Sequence, residues 1–131
     1  MSGVGIYSDT NRAKSIGKGT RIGAHCDIGK DVVIGENCNI QAGVKISNGC
    51  IIGNHVFIGP DVNLLNDKYM NNIIEPVVVE DYAKIGGNAT ILPRVIIKRS
   101  MTVGAGTVVT KTFKEGVTVY GNPARVHHKV D

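Results

Sequence analysis

An aliphatic residue recurs at every sixth position along most of this chain. The recurring positions are Ile16, Ile22, Ile28, Ile34, Ile40, Ile46, Ile52, Ile58 and Leu64, then Val79, Ile85, Ile91, Ile97, Val103 and Val109. An α-helix repeats every 3.6 residues and a strand every 2, so neither period produces this spacing. A hexad that returns one side chain to a shared axis predicts a short strand followed by a corner, which is the signature of a parallel β-helix. The pattern therefore predicts an all-β protein with these aliphatic residues in its core.

Two further slots of the hexad support this prediction. Four residues after each aliphatic position we expect a second inward side chain, because residues two apart share a strand face. These small or modest side chains are Thr20, Cys26, Val32, Cys38, Val44, Cys50, Val56, Val62, Ala83, Ala89, Val95, Met101 and Thr107. The slot three residues after the aliphatic position holds residue types that tolerate positive φ, and it predicts a left-handed corner. These residues are Gly19, His25, Asp31, Asn37, Gly43, Gly49, His55, Asp61, Asn88 and Gly106. Three corners close a triangular prism with roughly 18 residues per coil and coils about 4.8 Å apart.

Cys26, Cys38 and Cys50 are evenly spaced, which raises the question of a metal site or a disulfide. Their spacing is two-thirds of a coil, so the three side chains belong to different faces of the prism. All three also occupy the small inward slot, where a free cysteine packs as a small hydrophobic residue. We predict three reduced core cysteines.

The hexad repeat is interrupted once, between Leu64 and Val79. The interval is fifteen residues, three more than two hexads, so we predict a loop that leaves the wall of the prism at about 65–76. Glu75 precedes Pro76 and is expected to be extended, which marks the return to the coil. The loop is either a tolerated surface insertion or a functional element. In the second case Asn66 and Asp67, which follow the inward Leu64, are placed to form the floor of a pocket.

Length and composition predict one domain over residues 1–131, with an irregular C-terminal tail from about 112. The first fifteen residues lack the continuous apolar stretch of a signal peptide. No segment reaches the length that crosses a membrane. We therefore expect a cytoplasmic protein without membrane contact.

The formal net charge is +4, and several basic residues fall in the second half of the chain. These residues are Lys84, Arg94, Lys98, Arg99 and Lys111. An electropositive groove would speed the encounter with ligands that carry phosphates. Nucleic acid is disfavoured as a partner because aromatic residues do not alternate with the basic ones. A merely solvated basic surface is the remaining alternative.

Several segments resemble hexapeptide-repeat acyltransferases, and in particular the enzymes that acetylate the amino group of nucleotide-linked amino sugars. The similar segments are the hexads, Asn66-Asp67-Lys68-Tyr69, the run from Ile85 to Pro93, the run from Val103 to Lys111, and Gly121-Asn122-Pro123-Ala124-Arg125-Val126. The resemblance extends from about Ile16 to Val126. The loop and the tail are more specific signals than the hexads, because the fold carries several functions.

The resemblance implies a left-handed β-helix that assembles as a homotrimer with its active sites between protomers. It implies acetyl-CoA as co-substrate, no metal, and a nucleotide sugar as the acceptor. The coenzyme would contact the backbone of the late coils around Gly86, Gly87, Gly104 and Ala105. Its phosphate-rich end would lie near Lys111 and Arg125, and Asn66 would lie near the reacting amine.

The chemistry of acetyl transfer separates the candidate catalytic residues, which are Asn66, Asp67 and His55. Amines of the α-amino type have pKa values of about 7.7–8.0, so a useful fraction is neutral at cytoplasmic pH and a strong base is not obligatory. A hydroxyl acceptor does need a base, which is usually His. His25 and His55 both occupy the corner slot, where a structural role also explains them. His55 precedes the loop more closely and is the better candidate for a base.

Three alternatives to amine acetylation stay open at this point. An O-acetyltransferase acting on a sugar or another small acceptor would use the same fold. A γ-type carbonic anhydrase needs three histidines at one metal, whereas His25 and His55 are expected on different corners. A non-catalytic scaffold has no need for the polar loop.

Overall fold

A computed structural model describes residues 3–128 of the chain. These residues form a left-handed parallel β-helix with three sheets, and they contain no helix. The first sheet contains β1 (Gly3–Val4), β3 (Arg21–Ile22), β6 (Asn39–Ile40), β9 (Phe57–Ile58), β12 (Lys84–Ile85), β15 (Thr102–Val103), β17 (Thr118–Tyr120) and β18 (Arg125–His128). The second sheet contains β4 (Asp27–Ile28), β7 (Lys45–Ile46), β10 (Asn63–Leu64), β13 (Thr90–Ile91) and β16 (Val108–Val109). The third sheet contains β2 (Ser15–Ile16), β5 (Val33–Ile34), β8 (Ile51–Ile52), β11 (Val78–Val79) and β14 (Ile96–Ile97).

The predicted inward positions form the core. Every aliphatic residue of the six-residue repeat is buried except Ile16, which is partly buried in the first coil. Every residue of the small inward slot is buried as well. Strand partners place like residues above one another, as in the pairs Ile34–Ile52 and Leu64–Ile91. Each coil therefore covers the apolar surface of the coil below it, which is how a solenoid obtains a continuous core.

The predicted corner residues all adopt positive φ. His25, Asn37, His55 and Asp61 have φ between 56° and 61°, and the glycines of the slot have φ between 67° and 83°. Tyr82, Arg94 and Ser100 share this slot and also have positive φ, although their residue types did not indicate it.

The three corners differ in what they carry. We call them the capped corner (17–20, 35–38, 53–56, 80–83 and 98–101), the small-residue corner (23–26, 41–44, 59–62, 86–89 and 104–107) and the loop corner (29–32, 47–50, 65–77 and 92–95). They join the third sheet to the first, the first to the second, and the second to the third, respectively.

The loop insertion is larger than the spacing indicated. Paired residues of successive coils are 18 apart in the pair Ile34–Ile52 but 27 apart in the pair Ile52–Val79. The insertion therefore adds nine residues within one hexad, rather than three beyond two hexads. The sequence count was ambiguous because the loop residues Leu65, Ile73 and Ile74 are also aliphatic.

The C-terminal segment is more regular than the irregular tail that we predicted. Strand β17 continues the first sheet beside β15, and β18 folds back to pair with β17 in the antiparallel direction. The ring of His127 stacks on Tyr120, with 3.4 Å between ring centroids. Residues 129–131 of the predicted tail lie outside the described residues.

The three cysteines are buried and free, which confirms that they are packing residues. Burial raises the pKa of the Cys50 thiol to about 11. Burial also raises the pKa of Cys38. At neutral pH both groups are therefore protonated and poor nucleophiles.

The core position Ile91 provides a test of this packing. Ile91→Ala should lower the free energy of unfolding by roughly 2–5 kcal/mol, as deletion of a fully buried aliphatic side chain does. The matched control is Ile51→Ala, because Ile51 points outward and is 48% exposed. Urea unfolding of both variants measures the difference, and equal losses would contradict the inward position of Ile91.

Candidate functional site

The loop 65–77 is anchored at both ends on the loop corner. The backbone N–H of Glu75 donates to the carbonyl of Asn66 at 2.7 Å, which closes the base of the loop. The N–H of Arg94, in the next coil, donates to the carbonyl of Glu75 at 2.8 Å. The loop is therefore held against the coil that follows it, and its base has a defined position.

Asn66 has a fixed side-chain orientation. Its Nδ2 donates to the carbonyl oxygen of Asn48 in the preceding coil at 3.0 Å. Because a carbonyl can only accept, the amide nitrogen must face Asn48. The Oδ1 of Asn66 has no partner among residues 3–128, so it remains available as a hydrogen-bond acceptor.

The carboxylate of Asp67 organises the tip of the loop. It accepts the backbone N–H of Asn71 at 3.1 Å and that of Asn72 at 2.9 Å. Met70 and Asn72 both have positive φ, so the chain turns sharply here. These bonds occupy one oxygen each and explain Asp67 through loop geometry.

Asn66 and Asp67 line an apolar cleft of about 500 Å³ between the loop and the coil above. Its other lining residues are Ser47, Leu65, Lys68, Tyr69, Met70, Leu92 and Pro93. Tyr69 and Met70 are 69% and 87% exposed, so the outer wall of the cleft faces solvent in the single chain. The cleft thus combines the amide acceptor of Asn66 with a lining that is mostly apolar.

The small-residue corner carries the four predicted coenzyme-contacting backbone positions in two stacked coils. The slot before the left-handed residue holds small residues and one proline on this corner, in the order Ala24, Ala42, Pro60, Gly87 and Ala105. The backbone N–H groups of Ala24, Ala42, Gly87 and Ala105 have no hydrogen-bond partner among the described residues. Because this corner faces solvent, these donors are open to water or to the acceptor of a ligand.

On the capped corner, three of the five equivalent N–H groups are satisfied by side chains. Asn54 Oδ1 accepts the N–H of Glu36 at 2.8 Å, and Asp81 Oδ1 accepts that of Asn54 at 2.8 Å. Glu80 accepts the N–H of Arg99 at 3.0 Å. Asn54 and Asp81 occupy the slot that holds alanine, proline or glycine on the small-residue corner, whereas Glu80 reaches the Arg99 N–H from the preceding slot.

Close packing between coils explains why positions 86 and 104 are glycine, independently of any contact with a coenzyme. A Cβ on Gly86 would lie 2.6 Å from the backbone nitrogen of Ala105, and one on Gly104 would lie 2.8 Å from the Cβ of Tyr120. Glycine is therefore needed for the coils to stack, whatever binds to this corner.

His55 is not brought together with Asn66 and Asp67. It lies on the capped corner, where its ring stacks on Tyr82 with 4.9 Å between centroids and 6° between planes. The Arg99 guanidinium lies 5.2 Å from the Tyr82 ring centroid. His25 lies on the small-residue corner against Tyr7. Closeness in sequence was a poor guide for His55, because neighbouring hexads occupy different faces of the prism.

The two predicted phosphate contacts also lie apart. Lys111 follows β16 and borders a second cleft beside the loop, whereas Arg125 begins β18 in the C-terminal hairpin. Three of the other basic residues also lie in two separate clefts. Lys84 and Arg99 line a cleft with His55 and Tyr82, while Arg94 shares the loop cleft with Lys111.

Sequence reasoning missed several lining residues, among them Lys68, Tyr82, Leu92 and Pro93. Counting 18 residues between coils would have found Pro93 beside Lys111, and 27 residues across the loop would have found Tyr82 beside His55. The row of small residues on one corner was visible by the same count.

Metal-binding clusters and membrane-spanning helices are both absent from the described residues. Residues 3–128 contain no group of three or more His, Cys, Asp or Glu side chains arranged to hold a metal ion. Within the same range there is no helix with the length and apolarity needed to cross a membrane.

Two family models match the coils. The bacterial transferase hexapeptide model (six repeats) matches residues 14–48, and the hexapeptide repeat of succinyl-transferase matches residues 76–111. Both segments lie in the wall of the prism, on either side of the loop. The chain is therefore a hexapeptide-repeat protein related to the acyltransferases of this fold, which confirms the resemblance noted from its sequence.

Named relatives include transferases with different acceptors. The chain is 29% identical over 89 residues to galactoside O-acetyltransferase of Lactococcus lactis, covering 61% of this chain and 43% of the relative. It is 43% identical over 56 residues to 2,3,4,5-tetrahydropyridine-2,6-dicarboxylate N-acetyltransferase of Clostridium perfringens, covering 43% of this chain and 24% of the relative. The chain thus spans less than half the length of these relatives.

A similar solved structure is PerB from Caulobacter crescentus, in complex with CoA and GDP-perosamine. The TM-score is 0.83 at 27% sequence identity, and the match covers 96% of this chain and 58% of PerB. The similarity includes nearly the whole β-helix described above.

The role of Asp67 in the loop can be tested by hydrogen exchange. Asp67→Ala removes the acceptor of the Asn71 and Asn72 amides, so these two amides should exchange at least several-fold faster. The amide of Ile91, deep in the wall, should keep its protection because the loop does not support the core. Unchanged exchange at both loop amides would show that the carboxylate does not hold the loop.

Proposed function

We propose that this protein is an acetyl-CoA-dependent N-acetyltransferase acting on the amino group of a nucleotide-linked amino sugar. The observation that carries the proposal is the row of unpartnered N–H groups on the small-residue corner, because the pantetheine arm of acetyl-CoA has amide carbonyls that need donors. The complex of PerB with CoA and GDP-perosamine supports the coenzyme and the acceptor class. The acetyltransferase names of the curated relatives support the reaction.

The late coils supply the proposed coenzyme contacts. The N–H groups of Gly87 and Ala105 lie in adjacent coils of one corner, about 4.8 Å apart as neighbouring strands are. An extended chain with spaced carbonyls can run along such a row. Gly86 and Gly104 keep the corner narrow, and Arg125 in the following hairpin is the proposed contact for a coenzyme phosphate.

Asn66 is the proposed contact for the reacting amine. Its Oδ1 can accept an N–H of a neutral amine and thereby direct the nitrogen lone pair away from itself. A side-chain amide is not basic enough to remove a proton at neutral pH, so Asn66 would position the amine and would not act as a base. This role suits an acceptor whose own pKa leaves part of it neutral.

The proposed reaction balances without a further reagent. The amine nitrogen attacks the thioester carbonyl carbon, and backbone N–H donors stabilise the negative charge on its oxygen. The carbon–sulfur bond breaks as the carbonyl re-forms, and the proton lost from nitrogen passes to the departing thiolate. The products are the N-acetyl sugar and CoA.

A homotrimer would bring the two halves of this site together. In one protomer the loop corner and the small-residue corner lie on opposite margins of the second sheet. A cyclic trimer joins two different surfaces at each interface, so the loop of one protomer would face the coenzyme corner of the next. A cytoplasmic location, with access to acetyl-CoA, belongs to the same proposal.

O-acetylation is the second candidate, and the galactoside O-acetyltransferase relative favours it. A hydroxyl acceptor needs a base, and His55 is the exposed histidine that lines a cleft of about 460 Å³. Amine acetylation is preferred because Asn66 offers an amide oxygen, which cannot act as a base, while the carboxylate of Asp67 is engaged by two backbone N–H groups. An assay with matched amino and hydroxyl sugar nucleotides separates the two.

Ala105→Pro tests the coenzyme corner. Proline removes the N–H and fits this slot, because Pro60 occupies it after a glycine in an earlier coil, just as Ala105 follows Gly104. Loss of one donor should weaken acetyl-CoA binding about tenfold, measured by isothermal titration calorimetry. Ala42→Pro, on the same corner far from the late coils, is the control. Equal affinity in the wild type and both variants would remove this corner from the coenzyme site.

Asn66→Ala tests the amine contact. We expect acetyl transfer to fall roughly 10- to 100-fold, because one positioning hydrogen bond is lost, while the melting temperature changes little. Steady-state kinetics measures the effect. Asn63→Ala is the matched control, since Asn63 lies on the outer face of the adjacent strand and only bonds the carbonyl of Asp61. Wild-type turnover in Asn66→Ala would exclude Asn66 from the site.

A further inference from the structure

A second cleft lies beside the apolar one on the loop corner, with a volume of about 260 Å³. Its lining is polar and charged and includes Lys68, Arg94, Lys111, Glu75 and Thr110. Lys68 comes from the loop, Arg94 from the coil that the loop rests on, and Lys111 from the next coil. Three separate segments therefore deliver a cation to one small cleft.

The charges of this cleft are not balanced. Glu75 Oε2 lies 3.6 Å from Arg94 Nη1, and it is the single carboxylate in the lining. Three cations and one carboxylate leave an excess of two positive charges. A cleft with excess positive charge attracts anions, so this arrangement fits an anionic ligand.

Arg94 occupies a costly backbone position. Its φ is 72° in a corner slot that glycine, asparagine and aspartate fill in most other coils. A left-handed conformation costs about 1–2 kcal/mol for such a residue relative to the ordinary region. The salt bridge to Glu75 is exposed, with Arg94 at 81% side-chain exposure, and it returns little stability. The exposed guanidinium is therefore accessible to a ligand.

The charged cleft and the apolar cleft form one groove. Lys68, Tyr69 and Pro93 line both, so the two halves meet along these three side chains. Asn66 lies in the apolar half and the three cations line the other half. A ligand with an apolar or sugar part joined to a compact dianion would match both halves.

We infer that Lys68, Arg94 and Lys111 form a diphosphate-binding subsite joined to the Asn66 cleft. A diphosphate that is esterified at both ends, as in a nucleotide sugar or CoA, carries one negative charge on each phosphoryl group, which matches the excess charge. Arg and Lys donors on adjacent coils, about 4.8 Å apart, can contact both phosphoryl groups. This inference rests on the proposed function for the identity of the ligand, since nucleotide sugars and acetyl-CoA both contain a diphosphate.

The test uses the whole protein and isothermal titration calorimetry at low ionic strength, where charge contacts are least screened. The probes are CoA and the nucleoside diphosphates UDP, GDP, CDP and dTDP, each beside its monophosphate. The wild type should bind at least one diphosphate more tightly than its monophosphate. The double variant Lys68→Ala/Lys111→Ala should weaken the binding of a diphosphate probe at least tenfold. Lys14→Ala/Lys18→Ala, which removes two exposed lysines of the first coil, is the charge-matched control and should change nothing.

The outcomes separate the ligand and the function. Loss confined to the nucleoside diphosphates supports the subsite and assigns it to the acceptor, whereas loss confined to CoA supports the subsite and assigns it to the coenzyme. Equal affinities in wild type and double variant, with acetyl transfer intact, would overturn the subsite and leave the proposed function standing. Absence of diphosphate binding in the wild type would overturn it as well. Diphosphate binding without any acetyl transfer would support the subsite and contradict the proposed function.

Discussion

The stacking of identical inward positions from coil to coil is the constraint on which this molecule depends. Each short strand has only two or three paired residues, so no single pairing is stable alone. Stability comes from repetition, because every coil buries the aliphatic residues of its neighbours and forms parallel hydrogen bonds to them. The constraint acts only on the inward slots. The outward slots are therefore free to differ between corners. The groups that are proposed to bind ligands lie in these outward slots.

The corners show how small differences on a regular frame create distinct surfaces. On all three corners the chain turns through a residue with positive φ in the equivalent slot of the hexad. The backbone N–H of the preceding slot points outward from the turn. On the capped corner Asn54 and Asp81 consume that donor, whereas Ala42 and Ala105 leave it unused on the small-residue corner. A row of unused donors needs no folding or movement to meet an extended ligand. This rigidity distinguishes the proposed coenzyme surface from the proposed acceptor surface, which depends on a loop.

Much of the fold could be predicted from the sequence, because the six-residue period directly identifies the positions whose side chains point inward. The predicted core residues are buried, and the predicted corner residues have positive φ. The arrangement of the site was harder to predict. A six-residue period shows that each hexad contains a wall and a corner, but it does not show which of the three corners a given hexad forms. Closeness in sequence therefore suggests that His55 lies near Asn66, although the two residues lie on different corners. The aliphatic residues of the loop also hid the true length of the insertion. Lys68 and Arg94 carried no signal as a pair, since only the folded loop brings them to one cleft.

The separation of His55 from Asn66 has a chemical consequence for the proposed reaction. Beside the apolar cleft, the amide of Asn66 can position a nucleophile but cannot take its proton, and the carboxylate of Asp67 is already engaged by two backbone N–H groups. Such a site would discriminate by the acceptor's own basicity: an amine that is partly neutral near pH 8 can react once it is aligned, whereas an alcohol cannot. Alignment then becomes the main contribution of the protein. A rigid corner for the coenzyme, a loop closed at its base by Asn66 and Glu75, and an anchoring contact for a remote anionic group would all serve that one purpose, because binding energy far from the reacting atoms can hold them in place.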